Sequence, residues 1–264
     1  ADGRTRTYRV YVPASVAASD QVPLLIAMHG GLGWGAQFER NSGYDALAEA
    51  NGFLVVYPDG FNAGTDARPL RTWNGGACCG PAAREDIDDV AYLAQLIDQL
   101  EEDYPIDTDQ VVATGHSNGG IMALRLACER ADLVSAIGVQ SSSLEVKPCQ
   151  PSEPVSVLQI HGTEDQNLPL AGGVGTRAVS GVAFTPPREA ATTFASVNGC
   201  TTPPHERIDD ENRDLAVTTW APCDDDAMVV FVEVDGGTHA WMGAAGGGGP
   251  SGAPYPDLDT SLVI

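Results

Sequence analysis

Apolar residues in this chain fall into two kinds of run. VPLLIAMHG (22–30), FLVVYPDG (53–60), residues 110–115, SAIGVQ (135–140), VSVLQIHG (155–162) and MVVFVEV (228–234) are short and nearly unbroken, and several stop at Gly or Pro. Runs of this kind predict strands buried on both faces, as in a parallel sheet. TYRVYV (7–12) alternates instead and predicts an edge strand. Other segments repeat at helical spacing. In EDIDDVAYLAQLIDQLEEDY (85–104), Val90, Leu93, Ile97, Leu100 and Tyr104 form one stripe. Its acidic first turn suits the positive end of the helix dipole. SGYDALAEANG (42–52), residues 118–130 and REAATTFASVNG (188–199) predict three more helices.

Buried strands alternating with helices predict a mostly parallel, doubly wound sheet in a three-layer α/β sandwich. No internal repeat or interdomain linker interrupts it, so residues 1–264 read as a single domain. GAAGGGGPSGAP (243–254) reads as a flexible loop. LDTSLVI, at the end, resembles the beginning of a helix rather than its end.

Charge narrows the set of partners. Of 264 residues, 36 are acidic and 14 basic, a net charge of -22, and Lys147 is the sole lysine. Such a surface repels nucleic acid and anionic membranes, and suits a neutral substrate or a salty medium. No run approaches the roughly 20 apolar residues of a membrane helix. The chain opens on the polar ADGRTRTYRV with no visible signal peptide, which is compatible with one already removed. Six cysteines, an even count, fit a disulfide-bonded secreted protein. Cys200 and Cys223 bracket a polar, Pro-containing stretch and are the expected bridge. The adjacent Cys78 and Cys79 are expected to take different partners, or to leave one thiol free. No spacing suggests a metal site, and a monomer is expected.

The chemistry concentrates in ATGHSNGGIMALRLA. Gly115-His116-Ser117-Asn118-Gly119 fits G-x-S-x-G between a strand and a helix. A sharp turn there leaves no room for side chains two residues either side. The following helix aims its first amides at Ser117, where negative charge develops in acyl transfer. The alternative is a capping serine at a Gly-rich turn. In this strand-to-helix arrangement the nucleophile precedes its acid, and the histidine comes last. Only His205 and His239 follow Ser117. His205 lies in polar TTPPHERIDD and reads as a solvated loop residue. His239, in VEVDGGTHAW, lies just past strand 228–234. Between them, VSVLQIHGTEDQNLP supplies Asp165, with Glu164 as the fallback. Asn118 N–H is one expected oxyanion donor. Gly31 or Leu32, in MHGGLGWG, is the other. His29 and His161 read as structural.

With those residues in place, the chain resembles the polyhydroxybutyrate-depolymerase-like esterases and the carbohydrate esterase family 1 feruloyl and acetylxylan esterases. The resemblance runs through RTYRVYVP, HGGLG, GYDALAEANGFLVVYPDG, TWNGGACCG, ATGHSNGGIMALRLAC, HGTEDQNLP, GGVGTR, the NGC…C segment and GGTHAW. It implies an α/β-hydrolase fold, Ser117 as nucleophile, Asp165 as acid and His239 as base. It also implies no cofactor and export from the cell. Met242 departs from the pattern, since relatives often carry Pro after the Trp.

The expected function is a secreted serine carboxylesterase acting on feruloyl, aryl or acetyl esters of plant-wall polysaccharide. A polyester, either polyhydroxyalkanoate or aromatic, is the alternative substrate. Trp34, Trp73 and Trp241 fall in loops expected at the pocket mouth, where they can pack an acyl or aryl group. Trp220 reads as core. A peptidase with the same residues, or a non-catalytic carbohydrate-binding protein on the same fold, are the competing classes.

Overall fold

The computed structural model describes residues 3–14, 16, 21–65, 69–244 and 249–264. Strand β1 (Tyr8–Tyr11) leads to β2 (Val22–Met28). Helices α1 (Gly35–Ser42) and α2 (Tyr44–Asn51) carry the chain to β3 (Leu54–Pro58). A small ribbon, β4 (Phe61–Asn62) with β5 (Arg71–Thr72), and the short α3 (Gly80–Arg84) precede α4 (Asp89–Asp103). Then follow β6 (Ile106–His116), α5 (Asn118–Glu129), β7 (Ala136–Gln140), β8 (Ser156–Gly162), α6 (Pro187–Val197), β9 (His205–Ile208), β10 (Leu215–Trp220), β11 (Val229–Val234) and α7 (Thr260–Val263).

Nine strands form one sheet in the order β1-β3-β2-β6-β7-β8-β11-β10-β9. The six from β3 to β11 in that order run parallel. β1, β10 and β9 are antiparallel additions at the two edges. The unbroken apolar runs have the expected cause. Leu24, Ile26 and Met28 of β2 pack in the cluster that holds Leu93 and Ile97 of α4 and Met122 and Leu126 of α5. Leu25 and Ala27 pack on the other face with Phe38 of α1 and Tyr44 and Ala48 of α2. Burying each Leu or Ile side chain stabilises the fold by about 1.5–3 kcal/mol. β2 and β6 are neighbours, and the chain leaves them toward opposite edges of the sheet. A crevice opens at the C-terminal ends of such strands.

Local sequence accounts for most boundaries. The long helix begins at Asp89 rather than at 85, because Asp88 caps it by accepting the Ala91 amide at 2.9 Å. Val90, Leu93, Ile97 and Leu100 are buried along the expected stripe. Asp89 does not simply face the helix dipole. It is fully buried and meets Arg6 Nη2 at 2.6 Å. Helix α1 has no clear periodic signature, since Phe38 is its one large buried side chain. His205 stands at the start of a strand rather than in a loop. All four residues of β9 are exposed, so no alternation marks it. Residues 245–248 of the expected loop 243–254 lie outside the described residues.

All six cysteines are paired. Cys200 is bonded to Cys223, as expected, and Cys128 to Cys149. Cys78 and Cys79 are bonded to each other, which corrects the expectation of separate partners. The other four cysteines are brought together in two close pairs, with Cα atoms 4.9 and 3.9 Å apart. Each of the adjacent two therefore has only its neighbour.

The Cys128–Cys149 bond ties the end of α5 to the segment after β7 across 21 residues. Closing a loop of that size contributes roughly 3 kcal/mol in the chain-entropy model. Replacing both residues with Ala is expected to lower Tm by about 6–12 °C in scanning calorimetry.

Candidate active site

Ser117 sits between β6 and α5 with φ 53° and ψ -120°. Such a conformation costs a non-glycine residue on the order of 1–3 kcal/mol. The surroundings enforce it. The Ser117 amide donates to Gln140 O at 3.0 Å, and the Ser142 hydroxyl lies 3.2 Å from Ser117 O. A Cβ on Gly115 would overlap the Gly119 backbone. A Cβ on Gly119 would overlap the Met28 and His29 carbonyl oxygens. Both flanking glycines are thus required by close main-chain approach.

From Ser117 a hydrogen-bonded chain runs inward. His239 Nε2 lies 2.9 Å from Ser117 Oγ, and its Nδ1 lies 2.7 Å from Asp165 Oδ2. The network assigns the imidazole proton to Nδ1, which donates to the carboxylate, and Nε2 accepts from the hydroxyl. The second Asp165 oxygen accepts the amides of Asn167 at 2.9 Å and Leu168 at 2.8 Å. Burial works to raise the Asp165 pKa. The hydrogen bonds from His239 and from the Leu168 amide oppose it, and the carboxyl is held below its usual range. Glu164, the fallback acid, is exposed, and its amide donates to Gly237 O.

Three other histidines stand near this chain, and burial keeps all three neutral. His116 Nε2 donates to the His239 carbonyl at 2.6 Å, with its pKa lowered to about 3 by burial and the adjoining His239. His161 is lowered too, chiefly by burial, and donates to Leu168 O at 2.9 Å. His29, lowered to about 4 by burial, donates to Gly30 O at 2.7 Å and accepts the Gly60 amide at 2.9 Å.

Gln140 escaped sequence reasoning. It is fully buried, donates to Ala240 O at 2.9 Å, and accepts from Met242 N–H at 3.0 Å and Thr260 Oγ1 at 2.7 Å. It therefore grips the loop carrying His239. A buried glutamine ending the apolar strand AIGVQ was the available signal. The same contact explains Met242: its N–H makes a bond that proline lacks.

The two oxyanion candidates in the HGGLG loop separate. Leu32 N–H donates to Arg71 O at 2.7 Å, so it is already engaged, contrary to the expectation for it. Gly31 N–H has no acceptor among the described residues. A Cβ on Gly31 would lie 3.6 Å from Asn118 Cβ, so Gly31 faces the start of α5. Asn118 N–H is in the first turn, where no intrahelical acceptor exists.

The cleft over Ser117 has a volume of about 980 Å³. Trp34 is partly exposed at its rim, and Trp241 is a buried part of its wall. Trp241 Nε1 donates to Ser261 Oγ at 3.0 Å, and its ring meets Phe38 edge-on at 5.1 Å. Trp73 does not line the cleft. It is fully buried, donates to His29 O at 3.0 Å and lies nearly parallel to Tyr92, which makes it a core residue. Among the described residues, no group of three or more His, Cys, Asp or Glu side chains could hold a metal ion. No helix among them is long and apolar enough to cross a membrane.

The neutral histidines have a pH consequence. The unfolded chain takes up a proton at each near pH 6.5, whereas folded His116 resists protonation down to about pH 3. Stability from this residue is complete above pH 6.5 and declines as pH falls below it, by up to about 1.4 kcal/mol per unit. His116→Gln is expected to flatten the decline between pH 6.5 and 5 relative to wild type. Thermal melts across that range measure the difference.

Residues 1–197 match the family model described as "Putative esterase". The chain is 32% identical to Putative esterase NocK of Nocardia uniformis subsp. tsuyamanensis, covering 91% of this chain and 72% of that protein. It is 27% identical to feruloyl esterase B of Piromyces equi, over 88% of this chain and 42% of that longer protein, so it spans less than half of that relative. Among solved structures, an acetyl xylan esterase from Aspergillus awamori aligns with a TM-score of 0.63, over 87% of both chains, at 17% identity, a likeness of fold. The chain belongs to this esterase family, carboxylic ester hydrolases, and carries it on an α/β-hydrolase fold.

Proposed function

We propose that Ser117, His239 and Asp165 hydrolyse the ester in two steps. His239 takes the proton from Ser117 Oγ, which attacks the ester carbonyl. The amides of Asn118 and Gly31 stabilise the oxyanion. His239 then protonates the leaving alcohol, and afterwards activates water to release the acid. Asp165 holds the imidazole in one tautomer and stabilises its charged form. The observation that carries this reading is the chain of contacts at 2.9 and 2.7 Å, opening into the cleft.

The substrate class is feruloyl, aryl or acetyl esters of plant-wall polysaccharide. A relative named feruloyl esterase B supports it, as do Leu32, Trp34 and Leu70, which expose apolar surface along the cleft. That same surface suits an aliphatic or aromatic polyester, the second reading. Three disulfides suit a secreted enzyme.

Ser117→Ala is expected to lower kcat/KM on methyl ferulate or p-nitrophenyl acetate by about 1,000-fold or more, with Tm nearly unchanged. A fluorophosphonate is expected to label wild type and not the variant. Near-normal turnover by Ser117→Ala would falsify the mechanism.

A further inference from the structure

The cleft differs in charge from the rest of the protein. The chain carries 36 acidic side chains, yet among the described residues none lines the cleft. Asp165 lies buried behind His239 with both oxygens engaged. The three lining histidines are His29 and His116, kept neutral, and His239, which faces Ser117. Arg84 is the one permanent charge among the described lining residues.

The backbone that carries Arg84 is anchored, while its charge is left uncompensated. Arg84 ends α3, whose Ala82 amide donates to Thr72 Oγ1 at 3.1 Å, and Thr72 lines the same cleft. Its side chain is exposed and forms no ion pair among the described residues. Arg6, Arg9, Arg71, Arg125, Arg130, Arg188 and Arg207 pair with carboxylates, whereas Arg40, Arg177 and Arg213, like Arg84, form no ion pair among the described residues but do not line the cleft. The neighbouring Asp86 carboxylate instead reaches Asn74 Nδ2 at 3.4 Å. Among these unpaired arginines, Arg84 is the one that lines the cleft. It presents a planar fork of donors matched to a carboxylate. The exposed apolar surfaces of Leu32, Trp34 and Leu70 line the same cleft, beside which the rest of such an ester can pack.

We infer that Arg84 forms an anion subsite, and that the enzyme selects esters bearing a carboxylate away from the scissile bond. The inference rests on Ser117 being the esterase nucleophile. The carboxylate belongs either to the acyl group, as in the half-ester of a dicarboxylic acid, or to the alcohol, as in an acylated uronic acid sugar.

Two pairs of esters distinguish these sources. One compares p-nitrophenyl hydrogen succinate with p-nitrophenyl butyrate. The other compares acetylated xylo-oligosaccharides with and without a glucuronic acid branch. The measured quantity is the ratio of kcat/KM for the acidic ester over its neutral counterpart. Arg84→Gln is expected to reduce that ratio about tenfold in at least one pair, and Arg84→Lys to restore part of it. Added salt is expected to lower the ratio in wild type and not in Arg84→Gln. Ratios unaffected by Arg84→Gln in both pairs overturn the inference, and so do equal losses on acidic and neutral esters. If wild type turns over no ester, the nucleophile assignment fails separately. Calorimetric binding of p-nitrophenyl hydrogen succinate to Ser117→Ala, with and without Arg84→Gln, then decides. Binding at least fivefold weaker in the double variant supports the subsite, and equal binding overturns it.

Discussion

The first turn of α5 lies against the end of β2 so closely that only glycine fits at 119, under the Met28 and His29 carbonyls. Much of the site follows from that contact. It sets Ser117 on a turn too tight for ordinary backbone angles and brings Asn118 against Gly31. Two loops distant in sequence thereby present free amides on one side of a serine. A larger residue at 119 would separate them, and well-packed interiors absorb such insertions only by shifting backbone.

The opposite side is held from β7. The Gln140 carbonyl accepts the Ser117 amide, while its side chain holds Ala240, Met242 and Thr260. One residue therefore sets the spacing between the serine turn and the histidine loop. His116 adds a second tie to the His239 carbonyl. Gln140, Ala240, Met242 and Thr260 are buried, and a buried donor or acceptor left without a partner costs about 1–3 kcal/mol. The polar network is consequently stiff: each member has somewhere to go only if its neighbours stay put.

The fold was legible where burial leaves a pattern. β2, β3, β7, β8 and β11 lie within a residue or two of their apolar runs, because a parallel strand is covered on both faces. Pattern failed where burial is absent or slight, as in wholly exposed β9 and in α1 with its single large buried side chain. At the site, chain order brought forward Ser117, Asp165 and His239, which are hydrogen-bonded neighbours in the structure. Spacing did not show that Leu32 N–H is taken by Arg71, nor that the Trp73 ring turns into the core. Both depend on β5 returning beside the HGGLG loop, a tertiary fact without local signature. Adjacent cysteines were equally opaque, since their pairing is set by where the other four lie.

Asn118 accepts the Trp73 amide at 2.8 Å through Oδ1 and donates to the Trp73 carbonyl at 2.9 Å through Nδ2. Both bonds are to main chain. The serine turn is thus fastened to the 72–80 wall of the cleft by a grip indifferent to which side chain occupies position 73. Most side chains of that stretch are fixed as well: Trp73 is core, Thr72 Oγ1 accepts the Ala82 amide, and a Cβ on Gly75, Gly76 or Gly80 would overlap its neighbours, whereas Arg84 just beyond it is exposed. The serine turn and the segment leading to Arg84 are therefore one mechanical unit, in which the exposed Arg84 is the position open to exchange without disturbing the reaction centre.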